Sequence, residues 1–253
     1  MKRPMPRHAF AGRHVLLTRA LVDAGPWAQR LAERGATPVI MPCVYSESCD
    51  DALTRARLVA ALGTADWVLF TSVRGVDAVV RSGARLARGT RVGAVGAATA
   101  NAARGLGVQA PFVPRVGTSA ALAEELATLW GSGARGRRVL VVGAEAGRDD
   151  LERGLARTGA VVSRVDVYRT LPAPPTPTLR DLSREGISDV LLASPSAVTG
   201  LLNQALVSAT TRLFTIGPTT SAAVSSAGLV VTGESKTPDL DGLIEAMQCT
   251  IRA

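Results

Sequence analysis

Val15-Leu-Leu-Thr-Arg19, followed by a helical stretch that closes on Leu31-Ala-Glu-Arg-Gly35-Ala36, has a near-copy later in the chain. There Val139-Leu-Val-Val-Gly143 leads to Leu155-Ala-Arg-Thr-Gly159-Ala160, with the closing segments 124 residues apart. A second pair of copies recurs as well. Trp67-Val-Leu-Phe-Thr71-Ser72 runs into Gly75-Val-Asp-Ala-Val-Val80, as Val190-Leu-Leu-Ala-Ser194-Pro-Ser196 runs into Ala197-Val-Thr-Gly-Leu-Leu202. Val92-Gly-Ala-Val-Gly96-Ala-Ala-Thr99 is echoed 121 residues later by Leu213-Phe-Thr-Ile-Gly217-Pro-Thr-Thr220. Self-similarity at a nearly fixed offset means two related halves.

Each copy has the same internal order. A continuous apolar, β-branched run reads as a strand buried on both faces, as in parallel sheets. A Gly, Ser or Thr cluster follows, then a helical period such as Leu122, Leu126 and Leu129. Gly35, Gly107, Gly159 and Gly228 fall where helix C-caps are needed. Strands alternating with helices predict an α/β architecture with parallel sheets. The return strands of the first pair of copies are expected to end at Val44-Tyr45 and Val167-Tyr168. Leu171-Pro-Ala-Pro-Pro-Thr-Pro177 cannot be a central strand or a helix, and reads as a linker with Tyr45-Ser-Glu-Ser-Cys-Asp-Asp51 as its counterpart. The repeat alone places a boundary near residue 132.

Composition narrows the function classes. The 253 residues are 47% hydrophobic, enough to fill a core and to exclude wholesale disorder. Aromatics are only 4%, so that core is built from Ala, Val and Leu. Lys2 and Lys236 are the only lysines, leaving 27 arginines behind a formal net charge of +8. The arginines are dispersed along the chain with no aromatic interleaving, so no nucleic-acid partner is expected; a dispersed positive field suits a polyanionic ligand instead. Cys43, Cys49 and Cys249 have no metal-ligand spacing, and His8 and His14 are the only histidines. No disulfide framework, zinc site or Ser-His-Asp constellation is indicated. The basic start MKRPMPRHAFAGRH lacks the apolar run of a secretory signal. The uncharged 190–211 stretch holds Pro195, Asn203 and Gln204, so it reads as a buried strand entering a helix rather than a membrane span. A soluble, cytoplasmic protein is expected.

In open α/β sheets ligands lie beyond the carboxyl ends of the strands. Those ends carry Thr18-Arg19, Thr71-Ser72 and the 96–99, 143–148, 194–196 and 217–221 segments. Helices begin there, and helix N-termini attract anions through unpaired N–H groups and a partial positive charge. Taken singly, each hydroxyl is an ordinary N-cap. Their recurrence at equivalent places in both halves points to a distributed anion site. Nucleotide signatures fail: no G-x-G-x-x-G follows a strand, and Gly143-Ala-Glu-Ala-Gly147 lacks the Gly-Lys-Ser/Thr of a P-loop. Carboxylates do not cluster, so neither a cofactor nor a metal is expected.

In order and at these separations, several motifs resemble the uroporphyrinogen-III synthase family from about Val15 to Met247. They are Leu16-Leu-Thr-Arg19, Phe70-Thr-Ser72 with Gly75-Val76, Gly96-x-x-Thr99-Ala100, Val165-x-Val167-Tyr168-x-Thr170, Ser194-Pro-Ser-Ala197 and Ile216-Gly-Pro-Thr-Thr220 with Gly228-Leu229. The resemblance implies an α/β fold of two Rossmann/flavodoxin-like parallel-sheet domains joined by a two-stranded β-ladder. Domain one would be discontinuous, 1–43 plus 172–253, and domain two 44–171, with the substrate cleft between them. It further implies a cofactor-independent lyase that cyclises linear hydroxymethylbilane with loss of water and inversion of ring D, giving uroporphyrinogen III. The implied partners are that polyanionic linear tetrapyrrole and a transient contact with the enzyme supplying it, with no nucleic acid, no membrane and a monomeric state. Tyr168 matches the family tyrosine proposed to assist hydroxyl departure. Ser72, Arg74, Thr99, Ser194, Ser196, Thr219 and Thr220 match substrate-facing positions, although Arg74 departs from the residues common in that loop. Thr71, Arg19 and Arg148 join this set by placement and charge. The alternatives are a non-catalytic tetrapyrrole-binding or regulatory relative with the same fold, and a hinge-bending binder of another anion.

Overall fold

The computed structural model describes residues 9–145, 147 and 149–250. From the amino end come β1 (His14–Leu17), α1 (Leu21–Ala32), β2 (Thr37–Ile40) and β3 (Val44–Ser48). Next are α2 (Ala52–Leu62), β4 (Trp67–Phe70), α3 (Val73–Ser82), β5 (Arg91–Ala94) and α4 (Ala97–Ala103). They are followed by α5 (Ser119–Trp130), β6 (Arg138–Ala144), α6 (Asp150–Ala156) and β7 (Val161–Pro172). The rest comprises β8 (Arg180–Asp181), β9 (Ile187–Leu192), α7 (Pro195–Leu202), β10 (Ala205–Leu206) and β11 (Arg212–Thr215). It closes with α8 (Pro218–Ser226), β12 (Val231–Glu234) and α9 (Leu240–Cys249). The chain divides into two compact units, Met1–Ser46 with Thr170–Ala253, and Glu47–Arg169.

The first unit is built on a parallel sheet ordered β12-β11-β9-β1-β2. Counted in chain order within the unit, this is the flavodoxin-like 2-1-3-4-5 arrangement. Leu16 stands opposite Val39 on one side and Val190 on the other. Val15, Leu16 and Leu17 are all fully buried because helices cover both faces. Leu16 joins Val190, Leu192 and α7 residues such as Val198 and Leu201 in one core. Val15, Leu17 and Leu191 join Leu31 of α1 and Leu243, Ile244 and Met247 of α9 in another. The unbroken apolar run is thus two interleaved faces.

The second unit's sheet is ordered β3-β7-β6-β4-β5. Its β5-β4-β6-β7 portion repeats the 2-1-3-4 order with parallel pairing, and β3 takes the outer place. Val68 and Phe70 pack with Leu58, Leu62, Val76 and Val79 of α2 and α3. Trp67 and Leu69 pack with Leu122, Leu126, Leu151 and Leu155 of α5 and α6. The copies seen in the sequence run along the two sheets in matching neighbour order, β2-β1-β9-β11 in one and β7-β6-β4-β5 in the other. Each sheet therefore combines one copy from each half, and the repeat's contiguous halves are not the packing units.

Two sequence expectations change. The return strand expected to reach Val44-Tyr45 stops at Ile40, and a separate strand begins at Val44 and belongs to the other sheet. Tyr45–Ser48, expected as linker, is accordingly a strand, and β7 runs on to Pro172. Proline is tolerated there because a terminal strand position needs no ladder donor.

Glycine is required in two ways. Gly35, Gly107, Gly159 and Gly228 have φ of +85°, +82°, +87° and +74°, the left-handed region expected after helices. Gly200 instead permits close approach: a Cβ there would overlap the Cys43 carbonyl oxygen and lie 2.9 Å from the Ala173 nitrogen. That backbone pair is hydrogen-bonded, Ala173 N to Cys43 O at 2.8 Å, and α7 lies directly against it. At the amino ends of β1, β9 and β11, fully buried Asp189 accepts from Arg13 Nε at 2.8 Å and Arg212 Nη2 at 3.1 Å. Ser188 Oγ donates to the same carboxylate at 2.6 Å.

Candidate functional site

Parallel strands collect their carboxyl ends on one edge of each sheet, and chain order reverses between β1 and β9 in one unit and between β4 and β6 in the other. Both reversals are places where a ligand can enter between diverging loops.

In the first unit, Arg19 follows β1, Ser194 and Ser196 follow β9, and Thr219 and Thr220 follow β11. A cavity of about 180 Å³ at the reversal is lined by Thr18, Arg19, Asp23, Thr170, Ser194 and Ile216, among others. The Arg19 guanidinium carbon lies 4.1 Å from the Trp27 ring centre, so the planar cation is seated on an aromatic face. Ser194 Oγ accepts from the Ala197 N–H at 3.2 Å and caps α7, so the N-cap role is realised. That bond uses a lone pair, leaving the hydroxyl hydrogen to donate to a ligand. Thr219 is exposed, whereas Thr220 is 1% exposed, its side chain turned into the core.

In the second unit, Ser72 Oγ accepts from Gly75 N–H at 3.3 Å and caps α3. The neighbouring Thr71 Oγ1 makes only a long 3.5 Å bond to the Val142 carbonyl. Arg74, in the first turn of α3, has its guanidinium carbon 5.7 Å from the ring centre of half-buried Tyr168 on β7. The Tyr168 backbone carbonyl accepts from Glu145 N at 2.7 Å, which ties this strand to the loop after β6. Thr99, in α4, is 7% exposed. Arg148 lies outside the described residues.

The helix starts share a pattern. α3, α4, α7 and α8 have no acidic residue in the first turn, so no side chain of their own neutralises the positive end of the dipole. The N-caps of α4 and α8 are Gly96 and Gly217, neither with a side-chain cap. Their φ values of −154° and 163° are extended backbone, and an added Cβ would meet nothing within 4 Å. Neither conformation nor packing demands glycine at these two equivalent positions. Its consequence is that no side chain caps either start; in α8 the first residue, Pro218, has no N–H and the Thr220 N–H bonds the Gly217 carbonyl at 3.1 Å, so the Thr219 N–H is the one left facing outward there.

Three residues near these loops escape sequence reading. Trp27 holds Arg19 from eight positions away. Asp23 reaches the first-unit cavity from α1. Arg164, on β7, bonds Asp166 at 2.5 Å, Glu152 in the first turn of α6 and the Ala144 carbonyl. A Cβ on Gly143 would lie 2.9 Å from Thr71 Oγ1 and 3.3 Å from Arg164 Nη2, so Arg164 braces the loop that faces Thr71. Only three-dimensional pairing reveals these roles, since no short spacing links the partners. Among the described residues no group of three His, Cys, Asp or Glu could hold a metal ion, and no helix is long and apolar enough to cross a membrane.

Residues 25–245 match the sequence family described as Uroporphyrinogen-III synthase HemD. The porphyrin biosynthesis protein HemD of Ruminiclostridium josui is 27% identical over 176 residues, 67% of this chain and 33% of its own. The uroporphyrinogen-III synthase of Synechococcus elongatus is 27% identical over 175 residues, 66% of this chain and 64% of its own. The chain thus spans a third of the first curated relative and under two thirds of the second. A solved mutant uroporphyrinogen III synthase from Thermus thermophilus is similar in fold, with TM-score 0.54 and 20% identity over 95% of this chain and 99% of its own.

Proposed function

The chain belongs to the uroporphyrinogen-III synthase family, and we propose that it cyclises linear hydroxymethylbilane, with loss of water and inversion of ring D, to uroporphyrinogen III. The observation that carries this reading is the matched pair of bare helix starts at Gly96 and Gly217, reinforced by acid-free α3 and α7. Each pyrrole ring bears an acetate and a propionate, so the substrate is a flexible polyanion on an apolar body. Backbone N–H groups at helix starts suit such carboxylates without a fixed cation for each one.

The chemistry is a lyase reaction without a cofactor. Tyr168 gives its phenolic proton to the substrate's hydroxyl, which leaves as water. Pyrrole-nitrogen electrons stabilise the azafulvenium cation that remains, and the Arg74 guanidinium beside the ring stabilises the tyrosinate. The terminal ring attacks through its substituted carbon, giving a spiro intermediate that opens and recloses with the ring inverted. The final proton returns to Tyr168, so atoms and charge balance. Holding one folded conformation is the main contribution, and good orientation lowers such barriers by about 7–11 kcal/mol. Ser72, Ser194, Ser196, Thr71, Thr219, Arg19 and Arg148 serve binding in this scheme, whereas Thr99 and Thr220, expected at substrate-facing positions, are buried at their helix starts.

Isomer analysis of the product tests the function. Incubation with hydroxymethylbilane should give the type III macrocycle faster than spontaneous closure gives type I. Type I alone, at the spontaneous rate, would contradict the synthase reading.

A further inference from the structure

The arginines are dispersed in the sequence, yet the fold gathers two short runs of them. Arg88 and Arg91, before and at the start of β5, and Arg135, Arg137 and Arg138, before and at the start of β6, line one open hollow of about 580 Å³. It lies wholly within the Glu47–Arg169 unit, at the amino ends of β4, β5 and β6. That is the sheet edge opposite the loops assigned to the tetrapyrrole.

Among the described residues Asp66 is the only carboxylate in the lining, and it is already committed. It accepts the Arg138 backbone N–H at 2.7 Å and faces the Arg138 guanidinium at 3.5 Å. Arg137 donates to the Gly133 carbonyl at 3.1 Å and sits over Trp130, an ordinary role at the end of a helix. Among the described residues no carboxylate pairs with Arg88, Arg91 or Arg135, so helix-end duty does not account for them. The wall adds a second observation. Trp67 is 3% exposed, and among the described residues its buried indole Nε1–H has no acceptor. Arg91 lies over the Trp67 ring at 6.0 Å, Phe112 meets it edge-on at 6.4 Å and Trp130 lies at 5.4 Å. With that ring covered, a nucleobase has nothing to stack on, and the hollow recognises charge.

We propose that this hollow binds a small polyphosphate through its phosphate chain, independently of the synthase reaction. Guanidinium forks match phosphate oxygens in pairs, and a short phosphate chain concentrates more acceptor oxygens and charge in one small volume than a carboxylate does. Several uncompensated arginines around one small volume suit two or three linked phosphates.

Calorimetric titration of the full chain with inorganic tripolyphosphate, at physiological ionic strength, tests this. One-to-one saturable binding is expected, weakened more than about tenfold in Arg88→Ser/Arg135→Ser and partly restored in Arg88→Lys/Arg135→Lys. Both variants alter exposed side chains, so an unchanged melting temperature and unchanged type III synthesis should accompany the loss. No saturable binding, or binding indifferent to the double substitution, overturns the proposal. Citrate binding as tightly as tripolyphosphate overturns the phosphate assignment. Tighter binding of a short DNA duplex, with a steeper salt dependence, overturns the small-ligand assignment.

Discussion

At the residue scale, the proposed chemistry concentrates on Tyr168 and its Arg74 neighbour. Tyr168→Phe keeps the ring against the core and removes only the proton. It should lower turnover about 100-fold with little change in KM, read by steady-state kinetics with isomer analysis; unchanged turnover would leave the phenol a structural role. The buried Asp189 carboxylate is held by Arg13 and Arg212. Asp189→Ala strands Arg13 in the core and should cost about 3–5 kcal/mol in urea unfolding. Burial pushes the Cys43 thiol up to about 12, with Arg180 pulling weakly the other way. Native protein should therefore alkylate at exposed Cys249 and spare Cys43, as peptide mapping can show. The unfolded thiol ionises first, so this site's contribution to stability is intact below about pH 9 and declines as pH rises towards 12. The sequence shows Tyr168, the serines and the threonines as candidates because residue type and loop position are local. It conceals Trp27 beneath Arg19, and Arg164 bracing the loop after β6, because those pairings join distant segments.

At the element scale, the helix starts combine two duties. Ser72 and Ser194 cap α3 and α7, so each change to Ala should cost about 1 kcal/mol, read from urea midpoints, and should also raise KM if the free hydroxyl hydrogens meet substrate. The strands most visible in the sequence are β1, β4, β6 and β9, each carrying an unbroken apolar run, Val190–Leu192 in β9, because helices cover both faces. Less visible are β3 and the short β8, β10 and β12. β3 follows Pro42 closely, and its polar Ser46–Ser48 segment resembles a linker until a partner strand is known. The expected glycine C-caps appear as left-handed residues because that conformation is a local need. Gly200 carries no such local signal, since its reason is the distant Cys43 carbonyl.

At the scale of the whole molecule, the two copies of each motif are legible as a repeat, but their pairing is not. β1 and β2 complete the sheet of β9, β11 and β12, so one unit draws on both ends of the chain. Offsets in sequence cannot distinguish this from two contiguous halves, because the distinction lies in which strand borders which. A fragment ending near residue 132 would leave both sheets without their inner neighbours, and it should lack cooperative unfolding by circular dichroism. In the proposed function, helix starts without a side-chain cap or a first-turn acid hold carboxylates of the substrate. The most direct measurement of this is KM for hydroxymethylbilane in the Gly96→Asp/Gly217→Asp double variant. An aspartate at these N-caps stabilises each helix by a few tenths to about 1 kcal/mol while repelling an anion. The expected result is an unchanged or higher melting temperature with KM raised at least about tenfold; an unchanged KM in the folded variant would contradict this role for the helix starts.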